Sequence, residues 1–427
     1  MTRAFATLLC LAAWLPCSAG AAAAAAAAAA DNTDTRPEEL SELIDDGKVS
    51  LSFRYRFEHV DDDDFAEKAD ASTLRSRLSF ASGDYRGVSF FVEADDVREI
   101  LVDDFNAGAG NTPSRSEFPV VADPEGTEVN QAYLDYRGFA DTRLRLGRQR
   151  INLDNQRFVG GVGWRQNEQT YDAVSVDWNR NGTRVFYALV DNVNRPFGDD
   201  VPAGDHRQDP SHLLNVSTDL RDLGRLVGYY YAIDNKDEPA FSTGTAGLRL
   251  DGARDLRDLI VGYLAEYALQ RDLDNNPSDY RAHYWHLSGS VTFAELERSG
   301  RLDALTLSAG WEVQSGDADT AGEAFRTPLA TLHAFNGWAD RFLSTPDAGL
   351  DDRYVKLTAE RGPWVAEVHG HLFEAADGGA DFGEELDLRL GHRINDHVQF
   401  DVIAALFDGD GGLADVTKLW FMVTAQF

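Results

Sequence analysis

The last ten residues constrain the fold of this chain more than any other stretch. From Lys418 to the terminal Phe427, polar or amphipathic side chains alternate with apolar ones. This period of two predicts a β-strand with one polar face and one apolar face. Its length, about ten residues, is what a tilted strand needs to cross a bilayer. The alternative is an ordinary last strand buried in a soluble β-protein.

The start of the chain indicates export. Arg3 is followed by an apolar stretch and by an alanine run that ends at Ala30, which is typical of a secretory signal. We therefore expect residues 1–30 to be a cleaved signal peptide and residues 31–47 to form a short acidic lead. Both cysteines of the chain lie inside that signal. The mature chain is thus expected to contain neither a disulfide nor a cysteine metal site.

Amphipathic segments like the terminal one recur along the chain. The first is 48–58, in which Arg54 and Arg56 lie on the polar face. We predict further strands near 71–81, 86–98, 127–138, 141–150, 169–179, 182–192, 211–220, 224–234, 242–252, 256–270, 280–294, 302–315, 350–361, 363–375, 384–394, 396–407 and 417–427. The total is about 18, an even number in the range of bacterial outer-membrane barrels.

The predicted connections alternate in length. Tight turns are expected at 137–141, 179–182, 361–363 and 395–396, and long loops at 99–126, 151–168, 193–210 and 316–349. Short periplasmic turns and long extracellular loops are typical of up-and-down membrane barrels. After the signal, no run of about 20 apolar residues could form a membrane-spanning helix. The predicted fold is therefore all-β: a single closed antiparallel transmembrane β-barrel of about 18 strands over residues 48–427.

The terminal strand resembles the closing strand of bacterial outer-membrane β-barrels, in which a last Phe serves as an assembly signal. That resemblance implies a location in the bacterial outer membrane. It also implies contact with the barrel assembly machinery, with outer-membrane lipid and with lipopolysaccharide.

Two stretches of the sequence resemble the alginate export family of outer-membrane channels. The first comprises 128–136 and 144–174, where the GRQ…WRQN pattern is the most specific part, and the second comprises 328–340 and 349–355. The resemblance implies a monomeric barrel of 18 strands with an electropositive constriction that passes an anionic polyuronate. It leaves open which solute this chain moves, and whether the solute is exported or taken up.

Arginines recur on the polar faces of the predicted strands. An arginine facing lipid near the middle of the membrane would cost about 2–4 kcal/mol, so these side chains are expected to point into the lumen. A guanidinium group keeps its charge and binds carboxylates bidentately, and a row of such groups offers an anionic saccharide successive weak sites. The candidate pore residues are Arg54, Arg56, Arg75, Arg77, Arg143 and Arg145, followed by Lys356 and Arg389.

The same arginines have an alternative role, which is to pair with lumen acids and brace the wall. The acids that alternation places on the lumen side are Glu58, Glu93, Asp135, Asp177, Glu367 and Asp387. One arginine can serve both roles. The sequence does not separate anion selection from bracing.

The formal net charge of −32 argues against nucleic acid as a partner. Many of the acids fall in predicted loops or turns, such as 61–64 and 199–200. Acidic loops of this kind either bind Ca²⁺ through oxygen ligands or simply form a solvated surface. We expect no cofactor, with Ca²⁺ at these loops as the alternative.

The two long loops near the family-like stretches supply candidate substrate contacts. The first loop offers Asn152, Asp154, Arg157, Trp164 and Arg165, and the loop 316–349 offers His333 and Trp338. We expect loop 316–349 either to fold inward as a plug or gate, with its rings stacking on sugar, or to form a rigid lid over the mouth.

Signals for catalysis are weak. The sequence has neither a G-x-S-x-G elbow nor an H-E-x-x-H motif, so we predict no catalytic and no metal-binding residues. His369 and His371 share one face of a strand and could touch a metal, but a polar lumen row is the plainer interpretation. The predicted function is an outer-membrane channel for an anionic, alginate-like polysaccharide or a related organic anion. The alternatives are a porin for small carboxylates or neutral sugars and, less favoured, a barrel enzyme or a surface-interaction protein.

Overall fold

The computed structural model describes residues 40–256, 259–294 and 302–427. Within them the chain forms one antiparallel sheet of 18 strands that closes on itself. The predicted all-β barrel is therefore confirmed. The predicted signal peptide and residues 31–39 of the predicted lead lie outside the described residues, and the rest of that lead carries a short helix.

The elements follow one another along the chain with each strand paired to its neighbours. Helix α1 is Glu42–Asp45, and single 3₁₀ turns lie at Pro202–Gly204, Arg221–Leu223, Pro239–Phe241 and Leu332–Ala334. The strands are β1 Lys48–Asp62, β2 Ala69–Ala81, β3 Val88–Asp104, β4 Gly126–Phe139, β5 Thr142–Gln149, β6 Thr170–Arg180, β7 Thr183–Asn194, β8 Asp205–Asp219, β9 Arg225–Ile233, β10 Thr243–Asp255, β11 Leu259–Asp272, β12 Arg281–Ala294, β13 Ala304–Gln314, β14 Leu350–Arg361, β15 Trp364–Glu374, β16 Asp381–Arg393, β17 Val398–Gly409 and β18 Val416–Gln426.

The first and last strands close the barrel. In their register Arg54 lies opposite Thr424 and Phe57 opposite Phe421. The terminal Phe427 and Leu51 exchange two backbone hydrogen bonds of 2.8 and 3.0 Å. Closure removes the free edges that an open sheet would present.

Alternation along the strands separates a lipid-facing surface from a lumen. The outward positions form a band of exposed apolar side chains that includes Leu51, Leu78, Leu134, Leu146, Leu248, Leu269, Leu287, Val355, Leu372 and Leu419. Such a band is what the hydrocarbon core requires of a membrane barrel. No helix among the described residues is long and apolar enough to cross a membrane.

Two predicted long loops are shorter than expected, because β3 continues to Asp104 and β8 begins at Asp205. The connections are therefore 105–125 rather than 99–126, and 195–204 rather than 193–210. In these outer ends both strand faces carry polar residues, as in Asp205–Pro210, so the apolar–polar alternation that marks a strand is lost there. On the opposite side the turns are tight. Asn181 and Gly182 both adopt positive φ, at 52° and 77°, which suits a two-residue hairpin.

Two of the three long connections fold into the barrel. We call 150–169 the first inward loop and 315–349 the second inward loop. Phe158 of the first and Phe325 of the second meet with ring centroids 5.9 Å apart and pack against the wall residues Tyr229 and Tyr284. Of the two arrangements expected for the second loop, the structure shows the inward one.

A second apolar cluster holds the other half of the second inward loop. Phe342 lies 4.7 Å from Phe373 and 5.8 Å from Phe407, measured between ring centroids, and the cluster also includes Trp420 of β18. Apolar burial of this kind stabilises the inward position of the loop. The lumen is therefore apolar in two patches and polar elsewhere.

Candidate functional site: the lumen and its inward loops

Four of the predicted arginines line one side of the lumen, where β1 pairs with β2. Arg54 lies directly opposite Arg75 in that register, an arrangement that repels unless both charges find acceptors. The first inward loop provides them. Arg54 donates to the carbonyl of Gly163 at 2.9 Å, to the side chain of Gln166 at 2.9 Å and to the carbonyl of Arg165, while Arg75 donates to the carbonyl of Gln166 at 3.3 Å.

Arg56 is almost completely buried, with 1% of its side chain exposed. It donates to the carbonyl of Trp164 at 2.6 Å, and its guanidinium lies 4.2 Å from that indole ring centroid. Glu58 is 3.2 Å away and Asp123 is 3.5 Å away. Burial opposes ionisation of Asp123, but Arg56 and Arg165 outweigh it and lower the pKa of that carboxyl group.

Arg77 is bonded to two acids. It donates to both carboxylate oxygens of Asp95 at 2.6 Å and to Glu168 of the first inward loop at 2.9 Å. Arg150 donates to the other oxygen of Glu168. Burial alone would favour a neutral Glu168, yet Arg150 and Arg77 reverse this and lower the pKa of its carboxyl group. Arg54, Arg56, Arg75 and Arg77 thus all contact the first inward loop.

Asp340 joins the two inward loops to the wall. It accepts hydrogen bonds from His333 at 2.7 Å, from Arg165 at 3.2 Å and from Lys418 of β18 at 3.0 Å. The ring of His333 stacks on Trp164, with centroids 4.0 Å apart and planes 11° apart. The structure therefore brings three predicted loop residues together around one carboxylate that the sequence did not single out.

The ionisation of this junction follows from its burial. Burial lowers the pKa of His333, although Asp340 attracts the proton. Burial acts in the opposite direction on Asp340, but the nearby His333, Lys418 and Arg165 prevail and lower the pKa of its carboxyl group. Burial thus disfavours protonation of the His333 ring, while the neighbours of Asp340 favour its ionised form.

A second set of arginines keeps contact with solvent. Arg143 and Arg184 both donate to Asp177, at 3.0 Å for Arg143 and at 2.7 and 2.9 Å for Arg184. Arg225 lies on β9, two strands beyond Arg184 of β7, and donates to Ser217 at 3.0 Å. The side chains of Arg143, Arg184 and Arg225 are 33, 32 and 37% exposed. We call these three residues the exposed arginine row.

Sequence reasoning found Arg143 but missed the other two members of the row. Arg184 lies on the same face of β7 as Phe186, Ala188 and Val190. This inward face is mostly apolar because it packs on the inward loops. A rule that places polar residues inside therefore assigns the face wrongly. Arg225 begins β9 and has no alternating partner before it.

Of the remaining predicted wall residues, Arg145 adjoins Arg143 on the same face of β5, whereas Lys356 and Arg389 lie on β14 and β16. Arg145 bonds both oxygens of Asp135, at 2.6 and 2.8 Å, and Arg389 bonds Glu367 at 2.9 Å and Asp401 at 2.8 Å. Lys356 of β14 lies 4.7 Å from the ring centroid of Tyr354.

The other predicted loop residues have several partners. Arg157 bonds Glu312 at 2.5 Å and Asn336 at 2.8 Å. Asp154 accepts from Asn215 at 2.7 Å, the backbone amide of Trp338 donates to Asp387 at 3.4 Å, and Asn152 is exposed.

Comparisons with known proteins agree with this architecture. A comparison with curated proteins gave no match. Solved outer-membrane barrels match the fold: OpdK of Pseudomonas aeruginosa, at TM-score 0.69 and 13% identity, covers 90% of this chain and 99% of its own. OccAB4 of Acinetobacter baumannii, at TM-score 0.67 and 13% identity, covers 93% of this chain and 100% of its own.

These similarities place the chain in the bacterial outer membrane as a channel-type barrel. The family model described as alginate export matches residues 47–319. This match spans more than half of the sequence, and the chain therefore belongs to the alginate export family.

Proposed function

We propose that this outer-membrane channel passes small solutes that carry carboxylate groups, such as uronate saccharides and related organic anions. The exposed arginine row carries the proposal. Its three guanidinium groups face two carboxylates, Asp177 and, at 3.6 Å from Arg225, Asp154. The three guanidinium groups therefore carry one more positive charge than these two carboxylates carry negative charge. The side chains of all three arginines are about one-third exposed.

The chemistry of the row suits brief binding. A guanidinium group remains charged and offers paired N–H donors to a carboxylate. Because Arg143 and Arg184 share one acceptor, an incoming carboxylate can take up one of them without leaving Asp177 unpaired. Weak sites of this kind let an anion enter and still leave.

The buried arginines have a different proposed role. Arg54, Arg56, Arg75 and Arg77 bond loop carbonyls and lumen acids, so we assign to them the bracing of the first inward loop. Arg145 is proposed to support the row beside Arg143, whereas Arg389, which bonds Glu367 and Asp401, and Lys356 are proposed to compensate lumen acids rather than to bind the solute.

The filled lumen favours small solutes over polymers. Both inward loops lie inside the barrel and are held by apolar clusters, so a polymer would have to displace at least one of them. OpdK, which shares the fold, has been solved with vanillate, a small carboxylate. This precedent supports the same solute class here.

Export of an alginate-like polymer is the second candidate, and the family match favours it. It requires at least one inward loop to leave the lumen. The two candidates therefore differ in whether an inward loop must move for transport.

Reversal potentials in planar bilayers test the proposal. Across a salt gradient we expect the purified channel to prefer anions, and we expect the double variant Arg143→Ala, Arg184→Ala to lose most of that preference. Arg98→Ala is the matched control, because Arg98 pairs with Asp96 on the surface and is 53% exposed. A wild-type channel that prefers cations would contradict the proposal.

The same recording separates the two candidates. Monomeric uronate is expected to reduce the chloride current in a concentration-dependent way. Block by long alginate chains but not by the monomer would favour the polymer instead.

A further inference from the structure

Two histidines and an aspartate converge on the lumen side of β15 and β16. His369 and His371 are two residues apart on β15, and His369 lies opposite Asp387 in the register with β16. One ligand atom of each residue lies within 4.8 Å of the others, and all three residues are buried. The exposed fractions are 7% for His369, 4% for His371 and 0% for Asp387.

Hydrogen bonding fixes the tautomer of one histidine. Nδ1 of His371 lies 2.9 Å from Oδ1 of Asp352. An ionised carboxylate only accepts, so Nδ1 is the donor, and in the neutral ring Nε2 presents a lone pair. That nitrogen faces Oδ2 of Asp387 at 3.9 Å.

Two acceptors that face each other in a buried place are stabilised by a proton or a cation between them. Among the described residues, Oδ2 of Asp387, Nδ1 of His369 and Oε2 of Glu385 are buried without a hydrogen-bond partner. These unpartnered atoms belong to residues that are more than nine-tenths buried. The cluster therefore has ligand atoms available and no protein donor for them.

The local charge matches a divalent ion. When Asp352, Glu385 and Asp387 are ionised, as metal ligation requires, they contribute three negative charges, and Lys356, which lies opposite His369 in the β14–β15 register, contributes one positive charge. With neutral imidazoles the balance is then minus two. Nearby Glu312 is paired with Arg157, and Glu367 shares Arg389 with Asp401, so these neighbours add no positive charge.

We propose that His369, His371 and Asp387 bind a divalent transition-metal ion, with Zn²⁺ as the best match. Imidazole nitrogens with a carboxylate oxygen are a common zinc ligand set, and Asp352 supplies the carboxylate that orients a metal-binding histidine. Tetrahedral bonds of about 2.0–2.1 Å place ligand atoms roughly 3.3 Å apart. The side chains therefore close in slightly on the ion, and Glu385 or water completes the coordination.

The site lies beneath the attachment of the second inward loop. The amide of Ala339 donates to Glu385 at 2.7 Å, and Asn336 donates to Asp352 at 3.1 Å. The ring of Trp338 lies 4.6 Å from that of His369. A bound ion would hold the acids in the positions that the loop contacts, so metal binding and loop retention are linked.

Binding of Zn²⁺ to the folded channel, purified in detergent without a histidine tag, tests the site. Calorimetry is expected to show one ion per chain, and Co²⁺ is expected to give the visible absorption of a tetrahedral complex. His369→Ala and His371→Ala should each weaken Zn²⁺ binding at least tenfold. His212→Ala is the matched control, because His212 is exposed and bonds Tyr187.

Folding of each variant is checked by its circular dichroism and by its heat-modifiable mobility on gels. If an alanine variant fails to fold, His371→Gln and Asp387→Asn replace it, because they keep a polar side chain of similar size. Absence of stoichiometric binding to the wild type, or equal binding by the variants and the wild type, would overturn the proposal. Neither result depends on which solute the channel passes.

Discussion

Two walls of the lumen hold an inward loop by different means. The arginine wall comprises Arg54, Arg56, Arg75 and Arg77 of β1 and β2. The acid–histidine wall comprises Asp352, His369, His371, Glu385 and Asp387 of β14 to β16. In the arginine wall, donors face acceptors, as where Arg56 lies between Glu58 and Asp123. In the acid–histidine wall, acceptors face acceptors.

The difference lies in what each group can bond. A guanidinium group has five N–H donors in a fixed fork, so it can bond loop carbonyls and acids at the same time. A carboxylate only accepts, and the loop 336–339 offers it few backbone N–H groups. The arginine wall is therefore compensated in charge by the protein itself, although Nε and Nη2 of Arg56 and Nε of Arg75 lack a hydrogen-bond partner. In the acid–histidine wall the facing groups are all acceptors, and it is there that we place a cation.

The largest expected effect comes from breaking the arginine wall. Arg77→Ala removes the partner of the buried Asp95 and one of the partners of Glu168, and an uncompensated buried acid costs about 3–5 kcal/mol. Denaturant unfolding in lipid vesicles measures this loss. Arg98→Ala, which removes an exposed pair, should cost about 0–1 kcal/mol. Equal losses for the two variants would refute the assignment.

A smaller effect is expected from adding a side chain that clashes with the acid–histidine wall. A Cβ atom at Gly337 would lie 2.3 Å from Oε2 of Glu385, whereas one at Gly378 would meet nothing within 4 Å. Both glycines have nearly the same φ, +83° and +81°, so Gly378→Ala carries the same backbone strain. We expect Gly337→Ala to cost about 1–3 kcal/mol more and to raise the open probability of the channel. An unchanged open probability would show that this contact does not hold the loop.

Acid should loosen the junction between the walls. The pKa of His333 is lowered on folding, so the loop-in state loses stability as pH falls below the ordinary histidine value of about 6.5. The pKa of Asp340 is also lowered, and its contribution is lost below the ordinary value of about 4. Only the His333 change falls between pH 8 and pH 5, so single-channel openings should become more frequent across that window, and the Asp340 change should add to this below about pH 4. His333→Gln should flatten this dependence.

The smallest expected effect comes from Glu385→Gln, the substitution that distinguishes the two walls most clearly. In a chelator, Glu385→Gln removes one negative charge from facing acceptors and adds an amide donor beside Asp387. We therefore expect a change of stability below about 1 kcal/mol, in the stabilising direction, measured by the same unfolding assay. A loss as large as that of Arg77→Ala would show that both walls are internally compensated.

Most of the fold could be predicted because lipid imposes a simple rule. Outward positions such as Leu78 and Leu146 must be apolar, so the period of two and the number of strands are visible in the sequence. Strand ends beyond the membrane, as in Asp205–Pro210, are free of that rule and were placed less well. The inward direction of Arg54 and Arg77 followed from the same constraint.

The interior was harder to predict because it is partly filled by the chain itself. Phe186 and Tyr284 face inward, where they pack on the inward loops, and a polar-lumen rule misassigns such positions. The partners of Asp340 come from three separate regions of the chain. No local sequence pattern predicts a contact between residues so far apart in the chain.

The position of Asp340 makes the two inward loops cooperative. Arg165 of the first loop and His333 of the second share its carboxylate, which Lys418 ties to the closing strand. If either loop withdraws, the other loses an ion pair and a stacking partner, so partial openings are disfavoured relative to the fully closed and fully open states. We therefore expect recordings of this channel to show two conductance levels rather than a graded series.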